Sequence, residues 1–200
     1  MMSNKLKSTN KNQQGFTLIE LLVAVAITAL IIGGVVLAIF QVFSVNTRSG
    51  NHMTAVNQVQ NAGSWINHDV QMAQTIDTID DPSTTDETEK LTLTWVRWPR
   101  EDGKYIDSYK VRHTYDNLEL WRHQEITTQE YDSDGQPVGD PIVTQNSTLI
   151  ADYITTLSIL PLVGDNVFVT VTIGARVGVV GAGAADVERT YEIVPRVIIG

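Results

Sequence analysis

Between Leu21 and Thr47 the chain runs for 27 residues without an ionisable side chain, and no other feature restricts its fold as strongly. A helix of about 20 apolar residues crosses a ~30 Å hydrocarbon layer, so "LLVAVAITALIIGGVVLAIF" is long enough to span. A secretory signal has a shorter apolar core followed by a small-residue cleavage site, and this run exceeds it. Lys5, Lys7 and Lys11 precede the run, and the first base after it is Arg48. The positive-inside rule then puts the short N-terminus in the cytoplasm and the rest of the chain across the membrane. One carboxylate, Glu20, stands at the head of the run. A carboxylate in an apolar helix costs about 2.5–3.5 kcal/mol near the bilayer centre and less toward the ends, and a simple anchor gains nothing from it. A cut between Gly15 and Phe16 would free an amine about one helical turn from Glu20. The acid can reach that amine on its own chain or on a neighbouring copy, which makes it an assembly determinant.

Those three lysines are the only charged residues before Glu20; without them, 11 bases face 23 acids. So acidic a chain is a poor general binder of phosphate backbones, which relies on basic patches that release counterions. The absence of cysteine excludes disulfides and thiolate metal sites. With 42% hydrophobic and 18% charged residues in 200, the chain has enough apolar material for one core of ordinary size.

Past Val45 the sequence turns polar. Ala55, Val56, Val59, Ala62, Ile66, Val70, Ala73 and Ile76 then recur at three- and four-residue steps, one apolar stripe of a helix. The simplest reading is a single helix from about Phe16 to Ile76, greasy all round in its first half, with Trp65 and Met72 widening the buried face of the second. "DTIDDPSTTDETEK", from Asp77 to Lys90, lacks periodicity and contains Pro82, so it ends the helix as a loop. The period then changes to two. "KLTLTWVRW" and "KYIDSYKVRHTY" flank the turn "PREDG", and Asp116-Asn117 turns again into "LELWRHQEI", giving three antiparallel strands from about Lys90 to Ile126. Later strand candidates are "TLIADYITTLSIL", "NVFVTVTIGAR" and "ERTYEIVPRVII", with the glycine-alanine loop "GVVGAGAAD" between the last two. The fold class is α+β, a long helix laid on an antiparallel sheet.

No catalytic signature such as G-x-S-x-G or H-E-x-x-H occurs, and no enzyme or cofactor is expected. His52, His68, His113 and His123 are scattered. His113 and His123 can face one another across the hairpin, but a surface or strand-pair role outweighs a metal site. "DSDG", Asp132 to Gly135, has the acid spacing of a calcium loop, with Asp132, Asp134 and Asp140 as candidate ligands. The glutamate that closes an EF-hand is missing, since position twelve is Val143, and a turn between "ITTQEY" and "PIVTQN" is the reading taken. Asn146-Ser147-Thr148 fits the glycosylation sequon, a pattern too common to carry weight.

"GFTLIELLVAVAITALIIG" resembles the class III signal of type IV pilins and type II secretion pseudopilins. The resemblance implies that a prepilin peptidase cuts after Gly15 and methylates Phe16, and that Glu20, the fifth mature residue, guides docking in a helical filament. Many members carry proline at the twenty-second mature residue, here Leu37, so Gly33 and Gly34 are the sites where the span would melt locally. In the outer half, "VRHTYDNLELWRHQ", "LIADYITTLSIL" and "VERTYEIVPRVII" resemble segments of J-type minor pseudopilins and W-type minor pilins, which favours a minor subunit. Some pseudopilins bind calcium in an outer loop, which keeps Asp132, Asp134 and Asp140 in view. The implied organisation is a basic leader over 1–15, a transmembrane and assembly half-helix over 16–45, an amphipathic half-helix over 46–78 and a β-rich extracytoplasmic domain over 79–200.

Two functions of different class follow. The first is a structural subunit with the prepilin peptidase, other pilins or pseudopilins, an inner-membrane assembly platform and membrane lipid as partners. The second is a membrane-tethered binding protein for an exoprotein, an adhesion ligand or DNA, with the helix as anchor only.

Overall fold

The computed structural model describes residues 15–77, 88–97, 104–160, 168–179 and 183–195. The leader lysines, the loop between 78 and 87, the "PREDG" turn, residues 180–182 of the glycine-alanine loop and the end of the last strand lie outside the described residues. Two compact units divide between Val45 and Asn46. Each is taken by itself.

Helix α1 is Leu18–Met72. In its first unit every described residue is exposed, and the most apolar window has a mean hydropathy of 2.9 with none of it buried. This is the one described helix long and apolar enough to cross a membrane. Its hydroxyls need no outside partner, because Thr28 Oγ1 donates to the Ala24 carbonyl and Ser44 Oγ to the Gln41 carbonyl. Such internal satisfaction is what an apolar medium demands of polar groups. The helix is assigned without interruption through Gly33, Gly34 and Leu37.

The second unit is the α+β arrangement read from the sequence. Ala55, Val59, Ala62, Ile66, Val70 and Ala73 are all fully buried, so the three- and four-residue spacing does define the core face of α1. Each large aliphatic side chain so buried contributes about 1.5–3 kcal/mol. The helix ends at Met72, earlier than expected. The Gln74 amide donates to the Thr94 carbonyl, and Thr75–Asp77 forms strand β1, so Ile76 packs on the core from a strand rather than from the helical stripe. Trp65 and Met72 do not widen the buried face: they are 37% and 41% exposed, at its margin.

Strands β2 (Thr88–Arg97), β3 (Tyr105–Asp116), β4 (Glu119–Tyr131) and β5 (Pro137–Ala151) complete a five-stranded antiparallel sheet in the order β1-β2-β3-β4-β5. The turn between β3 and β4 is Asn117-Leu118, both at positive φ (48° and 71°). That is the twist of a two-residue hairpin loop, to which asparagine is suited and a leucine is not. "TLIADYITTLSIL" is not one strand. It breaks at Asp152-Tyr153, where Tyr153 has φ 61°, and strand β6 (Ile154–Leu160) joins β7 (Val169–Val177) and β8 (Ala185–Ile193) in a second, three-stranded sheet. Leu91, Leu93, Val111 and Leu120 of the first sheet and Val169, Val171 and Ile173 of the second belong to the same core as α1.

Polar side chains on α1 fix these elements at defined heights. Asn51 Nδ2 donates to the Gly183 carbonyl, Gln58 Oε1 accepts the Asp152 amide, and Asn61 Nδ2 donates to the Ile150 carbonyl. The Tyr191 hydroxyl donates to the Val59 carbonyl, and its ring lies where a side chain on Gly63 would stand, so glycine is what lets β8 approach the helix. Because this core and these bonds lie within Asn46–Gly200, a chain truncated to begin at Asn46 should be soluble and unfold in one cooperative step. Circular dichroism melting checks this, and an aggregated or molten product would contradict it.

Candidate functional site

At the head of α1, Thr17 and Glu20 bond reciprocally. The Thr17 amide and hydroxyl both donate to Glu20 Oε2 at 2.9 Å, and the Glu20 amide donates to Thr17 Oγ1 at 3.4 Å. This is a capping box, in which a threonine N-cap and a glutamate three residues later satisfy the free amides of the first turn. The negative charge also sits at the positive end of the helix dipole. Sequence reasoning missed this, although T-x-x-E before an apolar run is the pattern that signals it. The acid therefore has a local role that an anchor alone would use, and the premise that an anchor gains nothing from it has to be given up. Gly15 precedes the helix with nothing within 4 Å of where a side chain would begin, and Phe16 is 90% exposed. The chain on either side of the expected cut is open to an approaching enzyme.

A second constellation lies in the core. Asp69 is fully buried on α1, and Arg122 of β4 grips it through Nε to Oδ2 at 2.7 Å and Nη2 to Oδ1 at 2.9 Å. The remaining guanidinium nitrogen, Nη1, donates to Gln124 Oε1 at 2.9 Å, and the guanidinium carbon stands 5.1 Å from the Trp65 ring centroid. His113 of β3, opposite Arg122 in the register, places Nε2 at 3.2 Å from Asp69 Oδ2, close enough to share the carboxylate although off the line of a good hydrogen bond. Burial alone would raise the Asp69 carboxyl, but the His113 contact and the hydrogen bonds and charge of Arg122 hold it below the usual range. Beside the cluster is a groove of about 750 Å³ whose lining includes His68, Met72, Trp95, Tyr109, Arg122 and Gln124. Trp95 and Tyr109 stack across β2 and β3 at 5.3 Å. The cluster was legible only as an acid falling on the buried row Ala62, Ile66, Asp69, Ala73.

The histidine pairing considered from the sequence does not form. His113 lies opposite Arg122 and His123 opposite Arg112, so the two rings are on opposite faces of the hairpin. His123 instead bonds Thr114 and Ser147. In the loop after β4, Asp132 Oδ1 accepts the amides of Asp134 and Gln136, the Asx turn that closes the β4–β5 connection. Asp140 lies in β5, and among the described residues no group of three or more His, Cys, Asp or Glu is placed to hold a metal ion.

Residues 10–40 match the family model for the prokaryotic N-terminal methylation motif. The match takes in Gly15, Phe16, Thr17 and Glu20 and most of the uncovered apolar segment, and it supports a pilin-type precursor that a prepilin peptidase processes. No curated protein and no solved structure matches the chain.

The Asp69 cluster sets a testable pH dependence. Because the folded carboxyl titrates below its unfolded value of about 3.9, its contribution is complete above that value and is lost as pH falls through the folded one. Asp69→Asn leaves the Arg122 charge buried without its partner and should cost about 3–5 kcal/mol at neutral pH. Urea unfolding should show the gap between parent and variant narrowing below about pH 4.

Proposed function

We propose that the chain is a pilin-like structural subunit, without catalytic activity of its own, that a prepilin peptidase cuts after Gly15 and methylates at Phe16. In this reading α1 anchors it once in the cytoplasmic membrane, with the lysine-rich leader inside and the β-rich domain outside. It then enters a type II secretion pseudopilus or a type IV pilus as a minor, tip-proximal component. The observation that carries the reading is the coincidence of the methylation motif with an apolar half-helix that none of the described residues of its own unit covers. Such a surface needs lipid before assembly and the helices of other subunits after it. The likeness of "VRHTYDNLELWRHQ" to J-type and W-type hairpins supports the minor-subunit assignment. Other pilins, an inner-membrane platform and lipid are the partners; general nucleic-acid binding is not among them.

Processing is read directly by mass spectrometry of the membrane-purified protein. The mature chain should begin at Phe16 with a methylated amine, and Gly15→Val should retain the leader. A terminus at Met1, or beyond the apolar run, would remove the basis of the assignment.

The capping box favours the rival reading, an anchored binding protein, because it accounts for Glu20 without any second subunit. Two variants separate them. Glu20→Gln keeps a side chain that can close the box but removes the charge, whereas Glu20→Leu removes both. A filament subunit needs the charge to receive a neighbour's Phe16 amine, since an unpaired amine in an apolar setting costs several kcal/mol. Both variants should then be inserted and cut, yet fail to co-purify with partner subunits. Normal assembly by Glu20→Gln would restrict Glu20 to capping and favour the anchor.

A further inference from the structure

Strand β5 ends the five-stranded sheet, and its outer edge has no neighbouring strand among the described residues. Edges of this kind are usually blunted by lysine, proline or bulges. On β5 those devices sit at the ends. Pro137, Asp140 and Pro141 occupy the first part, and the register with β4 is irregular between Thr128 and Glu130 and again between Leu120 and Trp121. Between them Ile142–Leu149 pairs with Thr128–Trp121 without a break, and it contains no charge, proline or glycine. Side chains of this stretch are tied to β4, with Gln145 Nε2 on Glu125 Oε2 and Ser147 Oγ on His123 Nδ1, which leaves a straight free edge. Ile142, Val143 and Leu149 are 69%, 52% and 41% exposed.

We infer that this edge pairs antiparallel with the same edge of a second copy of the chain, in register about Asn146. The occupant follows from the sequence of the edge. A two-fold axis normal to the sheet keeps each residue on its own face, so the register must be centred on a residue. Centring on Asn146 sets Val143 against Leu149 of the second copy, twice by symmetry, and both side chains lie on the exposed outer face. It sets Thr144 against Thr148 and Gln145 against Ser147. Centring on Gln145 would oppose Val143 to Ser147 and Leu149 to Pro141; centring on Ser147 would oppose Leu149 to Gln145. Only the Asn146 register joins apolar to apolar and hydroxyl to hydroxyl, the pairs that stabilise a ladder. Asp140 falls beyond the regular ladder, so no like charges are brought face to face within it. The pairing is independent of whether the chain enters a filament.

The absence of cysteine makes the register directly measurable on the full chain in its membrane. Asn146→Cys should cross-link into a disulfide dimer under mild oxidation, because residues directly opposite lie about 4.5–5.5 Å apart, within disulfide reach. Gln145→Cys places its thiols diagonally, about 7–8 Å apart, and should cross-link at least ~10-fold less. Asn146→Lys opposes two ammonium groups on an exposed site that the fold does not use, and should weaken association of the detergent-solubilised chain roughly tenfold in sedimentation. No dimer from Asn146→Cys, equal yields from the two thiols, an adduct to a different protein, or association unchanged in Asn146→Lys would each overturn the proposal.

Discussion

The apolar surface of the first 28 residues of α1 has no cover from the described residues of its own unit, and most of what this chain is follows from that. A helix that is hydrophobic all round belongs in a membrane or in the centre of a bundle of other helices. No redistribution of side chains along a single helix could hide it, because the apolar surface runs all round. The hydroxyls of Thr28 and Ser44 are turned onto helix carbonyls, so along the segment they do not oppose transfer into lipid. At the head of the segment the chain places a carboxylate and ties it to the first-turn amide and hydroxyl of Thr17.

The second unit has the opposite problem, since α1 must be held against two sheets that do not pair with one another. The apolar row from Ala55 to Ala73 supplies affinity without direction. Direction comes from the polar bonds. Gln58 and Asn61 hold the β5–β6 junction, Tyr191 holds β8, and the Asp69–Arg122 fork holds β4 against the last turns of the helix. A buried ion pair adds little net stability over an apolar pair of equal size, yet it penalises heavily any arrangement that separates its partners. Its value here is that a slip of the helix by one turn along the sheet would strand two charges in the core.

The parts of this architecture that were legible in the sequence are those governed by period. The 27 uncharged residues, the stripe from Ala55 to Ala73 and the two-residue alternation of β2, β3 and β4 each have one structural solution. Features set by single contacts across long separations were not legible. Ile76 fits the helical stripe by spacing, but Gln74 finds Thr94 first and the chain becomes a strand. Nothing in "TLIADYITTLSIL" announces that Tyr153 will adopt a positive φ and pass the chain to another sheet. Asp69 could be flagged as an acid on a buried row, but its partner lies 53 residues away on β4. The Thr17-Glu20 box is legible as T-x-x-E before an apolar run, a local pattern that the cost of an acid in lipid does not reveal.

That box changes how the acid should be understood. Glu20 Oε2 takes both bonds from Thr17, and Oε1 is left open. A carboxylate already fixed by its own helix loses little rotamer freedom when a cation arrives, so the cap preorganises the group that a neighbouring amine would meet. The two roles need not compete, because one oxygen can close the cap while the other receives the partner. Removal of the charge and removal of the cap are then different perturbations, the second acting on helix entry and the first, in the proposed reading, on docking. A single acid at the head of this helix thus caps its first turn through one oxygen and leaves the other oriented for a cation, the feature that the proposed subunit role would use.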